Sequence, residues 1–80
     1  MPADYQPTTG DRVLVTRIFP DGHSTHWLGI IQVDYPDLGF SLAGTCVETG
    51  AAESGFFAAS ATVQAHHRIT QTIEPAPPRP

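Results

Sequence analysis

The chain reads as a small all-β domain, and three observations predict it. Residues 12 to 48 split into three runs with strand alternation: RVLVTRIF (12–19), HWLGIIQVDY (26–35) and GFSLAGTCVE (39–48). The runs are separated by the turn sequences Pro20-Asp21-Gly22 and Pro36-Asp37-Leu38-Gly39. Gly29 and Gly44 interrupt the second and third runs with no side chain to pack, which marks bends where a sheet curls into a barrel.

Each element follows from its pattern. Thr8-Thr9-Gly10-Asp11 turns into the first strand, where Val13, Val15 and Arg17 share one face and Leu14, Thr16 and Ile18 the other. Pro20 presets φ and Gly22 accepts positive φ, so the chain reverses there, with His23-Ser24-Thr25 lengthening the loop. In the second strand Trp27, Gly29, Ile31, Val33 and Tyr35 are placed inward. A type I turn with Gly39 left-handed then leads into a strand carrying Phe40, Leu42, Gly44 and Cys46 on one face. Thr49 to Gly55 is a loop of small residues, and Phe56-Phe57-Ala58 a short fourth strand. Residues 59–62 suit a single 3₁₀ turn, and Ala65 to Ile73 resumes alternation as a fifth strand. The sequence shows no internal repeat.

The ends are different in kind. Residues 1–9 read as a flexible N-terminal segment. Residues 74–80, EPAPPRP, cannot build a core and read as a Pro-rich disordered tail of polyproline II type. That tail is similar to a PxxP ligand, but a flexible end explains it as well. The folded domain is therefore expected over 10–73, one domain of modest stability.

Two local sequences carry a resemblance. Gly10-Asp11-Arg12-Val13-Leu14-Val15 looks like the G-D-x-V-x-V opening strand of bacterial SH3-like, KOW and Tudor-type domains. Glu53-Ser54-Gly55-Phe56-Phe57-Ala58-Ala59-Ser60 is similar to the G-x-F-P-x-x approach to the 3₁₀ turn of SH3 domains. Over roughly 10–73 the chain thus resembles a five-stranded SH3-like barrel with a short 3₁₀ turn before the last strand. The OB-fold is the alternative five-stranded architecture. The chain departs from the SH3 pattern in having Trp27 open the second strand and Ala58 where proline is usual. It also lacks the basic surface of KOW domains. Fold analogy assigns no function.

Composition bounds the partners. Eight carboxylates against four arginines give a net charge of −4, with no lysine and no asparagine. Alanine, glycine and proline with neither lysine nor asparagine is the signature of GC-rich codons, so a high-GC bacterium, or a phage or plasmid of one, is the expected source. Phosphate neutralisation needs clustered cations, so the balance argues against general nucleic-acid binding and an anionic membrane surface. No signal peptide is visible, and no apolar run approaches the ~20 residues of a membrane helix. The single Cys46 has no intrachain partner, which fits a reducing cytoplasm or a virion.

Candidate chemical groups are few. His23, His26, Cys46 and either His66 or His67 are potential zinc ligands, but no C-x-x-C supports them, and the expectation is no metal and no cofactor. Cys46 shares a face with Phe40 and Leu42, which favours burial over nucleophilic reactivity. Asp34 and Asp37 flank a turn, which explains them without acid–base catalysis. No nucleophile elbow, phosphate loop or dinucleotide fingerprint occurs, so no enzyme is expected.

Seven aromatics exceed what a barrel this small can enclose. Phe56 and Phe57 are consecutive, so one of them faces away from the core. The expectation is a protein-interaction or assembly module, such as an accessory or structural phage or plasmid protein. It would bind a protein partner or itself through Phe19, Trp27, Tyr35 and Phe57. The alternatives are a nucleic-acid-associated regulator using Arg12, Arg17 and Arg68, and a zinc-stabilised module.

Overall fold

The computed structural model describes residues 7–76. They form five strands and one helix: β1 Arg12–Ile18, β2 Ser24–Tyr35, β3 Gly39–Cys46, β4 Ala52–Ala58, α1 Ser60–His67 and β5 Thr70–Pro75. All strand pairs are antiparallel, in the order β4-β3-β2-β1-β5. The sheet is not closed, because β4 and β5 lie at its two edges without pairing.

The core lies on one face. Val13, Val15, Ile31, Phe40 and Leu42 are buried together, with Trp27, Phe57 and Ile73 packed against them. Three of these positions, Val13, Val15 and Ile31, are β-branched and suit a half-covered pleated surface. To enclose them with a single sheet, the strands must wrap. Gly29 and Gly44 stand opposite one another on β2 and β3. A Cβ on Gly29 would sit 2.5 Å from the Ala43 carbonyl oxygen, and one on Gly44 would sit 2.3 Å from that of Leu28. The two backbones approach more closely than any side chain permits.

The alternation of β2 does not hold to its end. A bulge between Ile31 and Val33 pairs Ile31 with Leu42 but Val33 with Ser41. One extra residue shifts a period of two by one, so everything after it changes face. Val33 and Tyr35, expected inward, are therefore exposed on the outer face. The bulge keeps its backbone paired through the segment before β1. The Ile31 N–H donates to the Asp11 carbonyl at 3.0 Å, and its own carbonyl accepts from the Gly10 N–H at 2.7 Å.

Four further expectations are corrected. In the β2–β3 turn Gly39 has the expected positive φ, 141°, but Asp37 also has positive φ, 68°, and the Leu38 N–H donates to the Tyr35 carbonyl at 3.0 Å. Positive φ at the second central position is the type II arrangement rather than type I. β4 begins at Ala52, because backbone pairing to β3 needs no apolar side chains. The single 3₁₀ turn is instead the eight-residue α1, and the last strand starts at Thr70, not Ala65. Buried Val63 docks the helix, and Arg68 ends it in a left-handed cap with φ 57° whose N–H returns to the Gln64 carbonyl. β5 also takes in Glu74 and Pro75, assigned above to the tail, and the Ala76 N–H still donates to the Arg12 carbonyl. The rest of the expected tail, and most of residues 1–9, lie outside the described residues.

The glycine pair yields a sharp expectation. Gly44→Ala must push the Leu28 backbone away and should cost about 1–3 kcal/mol. Gly55→Ala meets nothing within 4 Å and has no positive φ, so it should stay within about 0.5 kcal/mol of the parent. Urea unfolding of both variants measures the difference.

Candidate functional site

The outer face carries a continuous apolar band. Val33 pairs with Ser41, and Ser41 with Phe56, so β2, β3 and β4 bring Val33 and Phe56 onto one surface. Tyr35 follows on β2, its ring centroid 6.0 Å from that of Phe56 at an interplanar angle of 58°. Phe56 is 56% exposed and Tyr35 42%, with Leu38 open in the adjoining turn and Ile30 open further along β2. On the same face Arg12, Leu28, Ile30, Ala43 and Thr45 line a shallow depression of about 360 Å³, floored by the glycine pair.

The inner face is organised around Phe57. Its ring stacks on Phe40 at 5.4 Å and meets Trp27 edge-on at 5.4 Å. The Arg17 guanidinium lies 4.7 Å from the Phe57 centroid and 5.7 Å from that of Trp27. Both are within cation–π range. Arg17 Nε donates to Gln71 Oε1 at 2.8 Å, and Gln71 Nε2 donates to the Ala58 carbonyl at 3.0 Å and the Ser60 hydroxyl at 3.3 Å. Desolvation by burial lowers the Arg17 pKa from its ordinary value. Among the described residues no carboxylate forms an ion pair with it.

The four aromatics selected from the sequence occupy three places. Phe19 stacks on His23 at 4.3 Å in the β1–β2 loop. Trp27 and Phe57 are half-buried against the core. Tyr35 alone lies in the outer band, and its neighbour Phe56, not selected from the sequence, is the more exposed of the consecutive phenylalanines. The signal that would have found Phe56 is register: Phe57 falls opposite buried Phe40, so Phe56 must face out. The arginines are also dispersed. Arg12 and Arg17 lie on opposite faces of β1, and Arg68 caps α1.

His23 and His26 each contact a carboxylate, not one another. His23 Nδ1 contacts Asp21 Oδ1, and the His23 N–H donates to the same oxygen at 3.0 Å. This backbone hydrogen bond, then the side-chain one, lowers the Asp21 pKa. His26 Nδ1 lies 2.6 Å from Glu48 Oε2, and its N–H donates to Glu48 Oε1 at 2.8 Å. Buried Cys46 directs its thiol to Glu48 Oε1 at 3.7 Å. His66 and His67 are exposed in the last turn of the helix, not in a strand. Among the described residues no three His, Cys, Asp or Glu side chains gather as a metal site requires. No helix among them is long and apolar enough to cross a membrane.

Compared with protein-family models, with curated proteins and with solved structures, the chain matches none.

The Glu48 contact predicts a pH dependence. The side-chain hydrogen bond with His26, then that from its N–H, holds the Glu48 carboxyl below its ordinary value. A depressed folded pKa contributes stability above the unfolded value and loses it as pH falls through the folded one. The melting temperature of the parent should therefore exceed that of Glu48→Gln at pH 7, and the gap should close below about pH 4. Thermal melts of both proteins across that range check it.

Proposed function

We propose that this protein is a non-enzymatic protein-interaction or assembly module that docks through the outer face of its sheet. The observation that carries this reading is the exposed Tyr35–Phe56 pair with Val33 and Leu38 around it. Aromatic side chains on a rigid sheet are effective anchors because they bring large contact area at little entropic cost. The SH3-like reading of the fold is supported by β5 lying beside β1 and by the helical segment just before it. An accessory or structural part of a phage or plasmid system fits a small acidic domain of this kind. The arginine placement does not favour the nucleic-acid alternative, since Arg12 and Arg17 face opposite ways.

The test is quantitative capture from nuclease-treated source-cell lysate on immobilised parent, Tyr35→Ser and Val47→Ser proteins. Val47 is an exposed apolar residue just beyond β3. A partner retained by Val47→Ser and reduced at least about tenfold by Tyr35→Ser supports the reading, a loss of the size expected for an anchor side chain. Equal capture by all three overturns the outer face as the docking surface.

A further inference from the structure

The edge strand β4 exposes a row of backbone groups whose direction can be read from the hydrogen bonds at its two ends. The Cys46 N–H donates to the Ala51 carbonyl at 3.0 Å, and the Ala59 N–H donates to the Leu38 carbonyl at 3.0 Å. Both pairs share the register that sets Leu42 opposite Gly55. In an antiparallel ladder the hydrogen-bonded pairs alternate. Residues 51, 53, 55, 57 and 59 therefore turn their peptide groups toward β3, and residues 52, 54, 56 and 58 turn theirs away. The Ala58 carbonyl is taken by Gln71. The N–H and C=O groups of Ser54 and Phe56 face outward, with no neighbouring strand among the described residues.

The two edges of the sheet are unequal. Protected edges carry proline, charged side chains or a covering element, and the one charge on β4 is Glu53. On β5 the outward positions are Gln71, Ile73 and Pro75, by the same parity from the Ala76–Arg12 bond, and Pro75 has no N–H to offer. β4 has no proline and no basic residue, and Phe56 is its most exposed apolar side chain.

Resting on the interaction-module reading, we infer that β4 is a self-association seam: a second copy of this chain pairs antiparallel along it, with the two-fold axis at Gly55. In this register Phe56 of each copy faces Ser54 of the other, and their outward peptide groups form four hydrogen bonds. The two Phe56 rings lie on the diagonal, a spacing of about 7–8 Å that aromatic side chains span. On the inner face Glu53 of the second copy stands opposite Phe57. The Phe57 ring already carries the Arg17 guanidinium, which has no carboxylate partner among the described residues. Glu53 thus supplies the counter-ion that Arg17 lacks. Registers centred on Ser54 or Phe56 leave Glu53 away from Phe57. Gly55 meets its own counterpart as a non-hydrogen-bonded pair, with Cα atoms about 4.5 Å apart, and its inner side is open.

Sedimentation velocity over a range of concentrations, with three variants, tests the seam. The parent should move from the 8.6 kDa chain to twice that mass as concentration rises. Ser54→Pro removes an outward N–H at a position where an edge strand tolerates proline, and should remain folded by circular dichroism and monomeric. Glu53→Gln should weaken the dimer on the order of a hundredfold at low salt, the effect of losing two symmetry-related charge-assisted contacts, and remove most of its salt dependence. Gly55→Cys, mildly oxidised, should give a covalent dimer whose linked peptides both contain residue 55, since the spacing suits a disulfide. A parent that stays monomeric at every concentration overturns the seam, as does a Gly55→Cys protein that does not crosslink at 55. Loss of lysate capture in Tyr35→Ser would stand even if the seam failed.

Discussion

Everything in this fold depends on the contact between Gly29 and Gly44. Five strands in one layer have no second layer to cover their apolar face, so the sheet must bend over its own core. Gly29 of β2 and Gly44 of β3 pair there, their backbones at a distance that excludes even a methyl group. Val13, Val15, Ile31, Phe40 and Leu42 form the buried cluster of the same sheet. The bulge that follows extends the same geometry, increasing local twist and re-aiming the end of β2. The residues it re-aims, Val33 and Tyr35, are those of the proposed docking band. Folding constraint and candidate site are two consequences of one curvature.

Where wrapping stops, polar chemistry fastens the remaining gap. Gln71 is only 5% exposed, and it joins β5 to Arg17 on β1, to the end of β4 and to the start of α1. A buried amide that satisfies several groups at once fixes geometry as well as adding stability. This bridge touches β4 only at Ala58, which leaves the middle of the strand bare. The incomplete closure and the Arg17–Gln71 bridge are therefore features of one corner of the molecule.

The first three strands were legible because their side chains obey a period of two between turns built from proline, aspartate and glycine. Gly29 and Gly44 stand opposite one another with closely approaching backbones, a pairing across strands that neither run shows by itself. The bulge was not legible, since an extra residue such as Gln32 in a strand leaves no compositional mark, and its effect is to reverse the parity of all that follows. That single slip assigned Tyr35 to the wrong face. The helix escaped notice because Ser60–His67 offers one apolar anchor, Val63, among small residues and histidines. Its helicity comes from docking rather than propensity. The first half of β4, Ala-Glu-Ser-Gly, is held by backbone pairing alone. The choice between Phe56 and Phe57 needed the β3–β4 register, which no local pattern contains.

The connection from α1 into β5 has a consequence for how the molecule is made. Arg17 and Gln71 meet although they are 54 residues apart in the chain. During synthesis β1 can pair with β2, and the meander can grow through β4, long before β5 leaves the ribosome. Throughout that interval β1 is a bare edge, and the core beneath Val15 lacks the cover of Ile73. Closing so long a loop is entropically slow compared with forming the hairpins. The nascent domain therefore passes through a stage in which both margins of its sheet are open to solvent, and the arrival of the last strand leaves only one of them available.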